Sequence, residues 1–103
     1  MAQGRATVSR VAPRSPEHAA FGRALRILRA RYGLTQETVA LRSGIDRSYL
    51  GGVERGERNV TFSTLVRLAR AFNLKGSELL KTAEDEQDRM VAPGGGGEPD
   101  AGN

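Results

Sequence analysis

The stretch from Leu34 to Asn59, LTQETVALRSGIDRSYLGGVERGERN, contains two short helical patterns separated by one turn. Thr35 is a helix-capping residue type and predicts a helix over 35–42. Asp46 is another and predicts a second helix over 46–55, because an apolar stripe follows it. The stretch therefore predicts two consecutive short helices.

The spacing between these helices indicates how they pack. Ala40 is small enough to allow a close crossing, and Gly44 is suited to the left-handed conformation of a tight turn. Leu50 and Val53 then lie where they fill the contact between the helices. Two short helices that cross steeply through such a turn form a helix-turn-helix.

The flanking sequence predicts three further helices and an all-α fold. Ser15-Pro16 begins the first helix and Gly33 ends it, whereas Thr61 begins the fourth and Asn73 ends it. A short fifth helix is expected over 76–81. The apolar residues expected to face inward are Phe21, Leu25, Leu28 and Tyr32 in the first helix, and Phe62, Leu65, Leu68, Ala69 and Phe72 in the fourth.

The chain of 103 residues has room for one domain, which we place at residues 15–82. Residues 1–14 are expected to form a flexible basic arm, and residues 83–103 a disordered acidic and glycine-rich tail. Residues 18–81 contain twelve Lys and Arg against five Asp and Glu. A compact basic domain favours a polyanionic partner, and the alternative is an Arg-rich surface that serves only solubility.

Composition excludes several classes of function. The chain has no cysteine, which fits a reducing cytoplasm, and it has no apolar run of membrane-spanning length. His18 is the only histidine, and we interpret it as an exposed residue near a helix end. Because no metal-ligand spacing, phosphate loop or nucleophile–base pair is visible, we expect no metal, no cofactor and no enzymatic activity.

The motifs "LTQ", "A…SG", "YL…VERG" and "ERN" resemble the helix-turn-helix domains of the phage Cro and CI repressor class. The resemblance covers about residues 19–81 and implies a compact five-helix, lambda-repressor-like fold. Within the class, "DRSYL…VERGERN" looks most like the small controller proteins of restriction–modification systems. It implies a cytoplasmic, nucleoid-associated transcriptional regulator that binds double-stranded DNA.

The second helix of the motif is expected to lie in the major groove. The resemblance assigns base contacts to Arg47 and Ser48, and Arg47 has the donors for bidentate recognition of guanine. Tyr49 is either a base contact or part of the core. The expected backbone contacts are Thr35, Gln36, Arg55, Arg58 and Asn59.

Gly51 and Gly52 weaken this helix by roughly 1 kcal/mol each relative to alanine. A helical wheel places both away from the core, and we interpret them as a bare face that enters the groove closely. Glu54 falls on the core side instead. Because a buried carboxylate needs a partner, we pair it with Arg29 as a structural ion pair, which the resemblance supports.

Family members commonly bind inverted repeats as homodimers. The candidate dimer surface contains Phe72, Leu74, Leu79 and Leu80, and the alternative is that these residues complete the core. The arm residues Arg5, Arg10 and Arg14 are candidates for minor-groove contacts, or make none. The alternative function is an antitoxin-like module that binds a protein partner as well as its own operator.

Overall fold

The computed structural model describes residues 12–91, and within this range the chain forms five α-helices and no β-strand. This confirms the expected all-α fold. The predicted arm residues Arg5 and Arg10, and all residues after 91, lie outside the described range. The helices are α1 (Pro16–Tyr32), α2 (Gln36–Ser43), α3 (Arg47–Glu54), α4 (Phe62–Ala71) and α5 (Gly76–Val91).

The first four helices begin at capping side chains. The oxygens of Ser15, Thr35, Asp46 and Thr61 each accept a hydrogen bond from a backbone N–H of the first turn that follows. These bonds satisfy donors that have no partner within the helix. All four caps were expected from the sequence, and they fix where the helices start.

Left-handed residues end the helices and let the chain reverse. Gly33 after α1 has a φ of 66° and Gly44 after α2 a φ of 73°, a region that glycine enters without steric cost. Asn73, close behind α4, is in the same region with a φ of 59°. The backbone N–H of Gly44 returns to the Ala40 carbonyl oxygen at 2.9 Å. This closes the turn between α2 and α3.

The core lies between α1 and the other helices. α1 packs against α3 and α5, while α2 packs against α3 and α4. The largest fully buried side chains are Leu25, Leu28, Val39, Leu50, Val53, Leu68 and Leu79. The two helices of the motif therefore pack against different neighbours, α2 against α4 and α3 against α1.

Gly22 allows α1 to approach α3 closely. A Cβ at this position would lie 2.7 Å from the carbonyl oxygen of Val53. Because that neighbour is backbone, a larger residue would force the two helices apart. The Arg26 guanidinium donates to the Glu54 carbonyl oxygen and joins the C-terminal end of α3 to α1.

Two residues expected in the core lie outside it. Phe62 is 81% exposed because it is the first residue of α4 and precedes the turns that α4 buries. Tyr32 is 48% exposed at the end of α1, and its ring packs at a tilt against Phe72 with the centroids 6.1 Å apart. The sequence prediction was wrong about the burial of both.

The last helix is longer than the sequence predicted. The expected helix over 76–81 continues to Val91, so the placement of residues 83–91 in a disordered tail is wrong. Ala83 and Glu86, one turn apart, are both buried in the structure. The segment folds because this face packs against α1, which a composition argument could not detect.

Ion pairs hold this extension in place. The Arg23 Nε on α1 donates to the Glu86 carboxylate at 2.8 Å, and Arg89 pairs with the same carboxylate. Lys81 and Asp85 form a third pair at 3.0 Å along the exposed side of α5. The acidic residues after position 82 therefore belong in part to the folded domain.

The end of the predicted arm is also attached to the domain. The Arg14 backbone N–H donates to the Gly56 carbonyl oxygen at 2.8 Å. Gly56, with a φ of 78°, turns the chain sharply after α3 beside Pro13 and Ala19. The start of α1 thus lies against the loop that follows α3.

Candidate nucleic-acid interface

The first turn of α3 presents polar side chains to solvent. Arg47 and Ser48 are exposed, and Tyr49 is half-buried beside them. The Asp46 carboxylate accepts from the backbone N–H groups of Ser48 and Tyr49 at 2.9 and 3.1 Å. The cap therefore fixes the direction in which the two residues expected to contact bases leave the helix.

A buried carboxylate lies at the other end of α3. Glu54 is 3% exposed and accepts from Arg29 twice, from Nε at 2.6 Å and from Nη2 at 3.0 Å. This is the ion pair that the sequence suggested. Removing either partner would leave an unpaired charge in a poorly solvated site.

The same carboxylate is connected to the exposed start of α3. Gln36 donates from Nε2 to Glu54 Oε1 at 2.8 Å, and its Oε1 accepts from Arg47 Nη1 at 3.1 Å. Gln36 was expected to contact a phosphate, but here its amide links the buried ion pair to Arg47. The network Arg29–Glu54–Gln36–Arg47 joins α1, α2 and α3 and orients the Arg47 guanidinium.

The two glycines of α3 are not a bare face. Both are buried in the structure. A Cβ on Gly52 would lie 2.7 Å from Cγ of Arg58, and one on Gly51 would lie 3.2 Å from an Nη of Arg55. The prediction of an open face is wrong, because arginine side chains from the following segment lie over the glycines.

The loop after α3 brings three expected backbone-contacting residues together. Arg55, Arg58 and Asn59 are all exposed. Arg55 pairs with Glu57 at 3.0 Å, while the hydroxyl of Tyr49 donates to the carbonyl oxygen of Asn59. The Tyr49 phenol therefore braces this loop.

His18 was predicted to be an exposed residue near a helix end, but it is half-buried and both of its ring nitrogens have partners. Its Nε2 lies 2.6 Å from Asn59 Oδ1, and its Nδ1 lies 2.6 Å from the Ser15 Oγ that caps α1. The pairing joins residues 41 positions apart. No sequence signal pointed to it, because it depends on how α1 docks beside the loop.

Thr35 is the remaining residue expected to contact the DNA backbone, and Arg42 is a second polar residue of the same helix region. Thr35 is exposed, and its Oγ1 accepts from the Thr38 backbone N–H at 3.0 Å, as a helix cap does. Arg42 on α2 donates to the Ala71 carbonyl oxygen at 3.2 Å. Arg42 therefore helps to satisfy the end of α4, where cations are favoured.

The four candidate dimer residues have different surroundings. Phe72 and Leu79 are 4% and 0% exposed, so they complete the core and cannot reach a partner. Leu74 is half-buried, and Leu80 is 44% exposed. The sequence could not show which of them are buried, because their spacing fits both a place in the core and a place at a dimer surface.

An apolar groove lies where α1, α4 and α5 meet. It has a volume of about 290 Å³ and opens beside the loop that contains Arg58 and Asn59. Its apolar lining comes mainly from Phe21, Val60, Leu65, Leu80 and Ala83. Phe62 is close by along the chain, between two of these lining residues.

Residues 12–91 lack the features of two other kinds of site. No group of three or more His, Cys, Asp or Glu side chains in this range is arranged to hold a metal ion. None of the helices there has the length and apolar character needed to cross a membrane.

Comparison with known proteins gives consistent matches. The Helix-turn-helix family model matches residues 25–79. Control protein C.SmaI of Serratia marcescens is 55% identical over 47 residues, which are 46% of this chain and 56% of that protein. The chain thus spans little more than half the length of that relative. An HTH-type transcriptional regulator of Sinorhizobium fredii, y4dJ, is 49% identical over 59 residues, or 57% of this chain and 75% of that protein.

Solved structures show the same similarity. The restriction-modification controller protein C.AhdI from Aeromonas hydrophila is 49% identical with a TM-score of 0.61, covering 63% of this chain and 98% of that one. The controller protein C.Esp1396I, solved as a tetramer with its natural 35 base-pair operator, is 26% identical with a TM-score of 0.66. That match covers 71% of this chain and 96% of the controller protein.

Proposed function

Because this chain belongs to the helix-turn-helix family, we propose that it binds double-stranded DNA sequence-specifically and acts as a small transcriptional regulator. The observation that supports this best is the exposed first turn of α3, where a network from a buried ion pair orients Arg47. A fixed arginine at the start of a helix suits base recognition in the major groove.

The proposed contacts fall into two groups. Arg47, Ser48 and the ring of Tyr49 face the bases. The residues that hold the sugar–phosphate backbone are Thr35, Gln36, Arg55, Arg58 and Asn59. Two of these are arginines in the loop after α3, and arginine is well suited to phosphate oxygens. Gln36 also positions Arg47, so its backbone contact would use the second hydrogen of its amide nitrogen.

We further propose a homodimer on an inverted repeat, and this dimer gives the apolar groove an occupant. Phe62 is a large exposed side chain that follows Val60 by two residues, and Val60 lines the groove together with Leu80. In a two-fold dimer each protomer presents the same surface, so Phe62 of one copy can enter the groove of the other. The proposed interface keeps Leu80 and adds Phe62. It no longer includes Phe72 and Leu79.

The test is selection of binding sites from random duplex DNA by the purified protein at near-physiological salt. Recovery of an inverted repeat with half-site centres about one helical turn apart is the expected result. An unenriched pool with only weak, salt-sensitive binding would overturn the proposal and favour a protein partner instead.

Two variants then separate the roles of the arginines. Arg47→Ala should relax the base preference at one position of each half-site, since a bidentate contact to guanine is worth about 1–3 kcal/mol. Arg58→Ala should weaken selected and scrambled duplexes alike and lower the salt dependence by about one phosphate contact. Equal loss of base preference in both variants would contradict this division.

A further inference from the structure

The start of α1 and the loop after α3 share one hydrogen-bonded link through His18. Asn59 Oδ1 lies 2.6 Å from the imidazole Nε2, and the Ser15 Oγ lies 2.6 Å from Nδ1. The Ser15 Oγ also accepts from the His18 backbone N–H at 3.1 Å, which is the cap of α1. The imidazole is thus held at both nitrogens.

The main chain around Asn59 is fixed by other contacts. The Tyr49 hydroxyl donates to the Asn59 carbonyl oxygen. Two residues earlier, the Glu57 backbone N–H donates to the Gly52 carbonyl oxygen at 2.9 Å. With the backbone held in this way, the orientation of the Asn59 side-chain amide depends on its own partner, His18.

The orientation of the Asn59 amide determines whether its carbonyl oxygen or its NH2 group points toward the DNA. An imidazole has an N–H at Nε2 in its protonated form and in one of its two neutral tautomers. In both of these states Nε2 donates to Oδ1, which leaves the two hydrogens of Nδ2 on the side away from His18. Within residues 12–91 no hydrogen bond from Asn59 Nδ2 to another residue is formed, and the side chain is exposed.

We propose that His18 is a positioning residue for DNA binding, because it orients the Asn59 amide so that Nδ2 donates to a phosphate oxygen. The opposite orientation would present the carbonyl oxygen, which repels a phosphate. This inference rests on the proposed function, in which Asn59 contacts the backbone. It gives α1 a part in DNA binding without contact between His18 and the DNA.

Two isosteric substitutions test the proposal. In His18→Gln the amide nitrogen takes the place of Nε2 and still donates to Asn59. In the matched control His18→Asn it takes the place of Nδ1, so only the contact to Ser15 is preserved. Both variants are neutral, so the charge of residue 18 does not differ between them.

Affinity is measured for the best duplex from the selection and for a scrambled duplex. We expect His18→Asn and Asn59→Ala each to weaken binding by about fivefold, the value of one hydrogen bond, and His18→Gln to bind as the wild type does. The double variant His18→Asn/Asn59→Ala should bind no more weakly than Asn59→Ala alone. The salt dependence should stay unchanged in all of them, because Asn59 is neutral.

Three results would overturn the proposal: wild-type affinity in His18→Asn, equal loss in His18→Gln and His18→Asn, or additive losses in the double variant. Thermal unfolding of each variant identifies a loss caused by general destabilisation, which would also count against it. If the wild-type protein selects and binds no duplex, the proposed function itself fails. That result differs from a bound duplex that is insensitive to residue 18.

Discussion

At the scale of single residues, the missing side chain of Gly52 shapes the surface that we propose to face DNA. The aliphatic stem of Arg58 lies so close to Gly52 that a Cβ there would be only 2.7 Å from Cγ of the arginine. The glycine costs helix stability, but it lets the arginine lie flat along α3. Its role is thus to place a cation beside the helix.

We expect Gly52→Ala to separate stability from DNA binding. Alanine should keep or raise the free energy of unfolding, by up to about 1 kcal/mol, because it favours helix. DNA affinity should fall about as far as in Arg58→Ala, because the arginine stem must move. Thermal unfolding and duplex titration measure the two effects.

The matched control is Gly51→Ala, whose Cβ would lie 3.2 Å from the end of the Arg55 side chain and 3.9 Å from Nε2 of Gln36. It should raise stability similarly without displacing Arg58. Wild-type affinity in Gly52→Ala would show that the position of Arg58 does not matter.

The pKa of Asp46 leads to a prediction about how the stability of the fold changes at acidic pH. The Tyr49 backbone N–H, followed by the bond to Ser48, lowers the pKa of Asp46 below its ordinary value of 3.8. A lowered folded-state pKa means that the ionised cap stabilises the fold above that ordinary value. This stabilisation is lost as the pH falls from about 3.8 through the lower pKa of the folded state.

In Asp46→Asn the amide oxygen still caps α3 but does not titrate. We therefore expect the stability advantage of the wild type over Asp46→Asn to be constant near neutral pH and to shrink below about pH 4. Urea unfolding of both proteins across this range measures it. An advantage that grows in acid would contradict the prediction.

At the scale of helices, the sequence predicted starts and turns better than ends and surroundings. Ser15, Thr35 and Asp46 were found as caps because a capping side chain bonds to the next few residues, a local interaction. The end of α5 was missed because Ala83 and Glu86 are ordered by contacts with a distant helix. A polar segment with one packed face looks like a tail when only its composition is considered.

The candidate site was predictable to a similar extent. The need of Glu54 for a partner followed from the cost of an unpaired buried charge, and the family resemblance supported Arg29 as that partner. The contact between His18 and Asn59 did not follow, because no rule of spacing links positions in different elements. The role of Gly22 was missed for the same reason, because the lack of a side chain there matters only once α3 packs against it.

Ala83→Asp tests whether the end of α5 contributes to folding. Ala83 is 6% exposed, so a carboxylate there would be buried without a cation or hydrogen-bond donor placed to pair with it. We expect the free energy of unfolding to fall by about 2–4 kcal/mol. The control Glu84→Asp changes an exposed neighbour and should have little effect on stability. If both variants unfold at the same urea concentration, this segment is not packed.

At the scale of the whole molecule, the exposed apolar side chains are not equivalent. Phe62 is 81% exposed and lies along the chain between Val60 and Leu65, which line the apolar groove, whereas Leu41 is 84% exposed on α2, which contributes no residue to that lining. A large exposed apolar side chain beside a groove marks an interaction surface better than an isolated one does. The two residues therefore form a matched pair for testing the proposed dimer.

Phe62→Asp should dissociate the dimer and leave the fold intact, because the side chain is outside the core. Sedimentation equilibrium should give a monomer at concentrations where the wild type is dimeric, and an inverted repeat should be bound no more tightly than a half-site. Leu41→Asp should remain dimeric. Dimerisation of both variants would place the interface elsewhere.

The docking of α1 against α5 has a consequence for synthesis in the cell. Among the described helices α1 leaves the ribosome first, yet the helix that covers one of its sides leaves last. Residues of the helix-turn-helix are therefore made well before the scaffold that supports them is complete. A nascent chain stalled before α5 has emerged should be a poor competitor for operator DNA, so that finished molecules, and not translation intermediates, set the level of regulation.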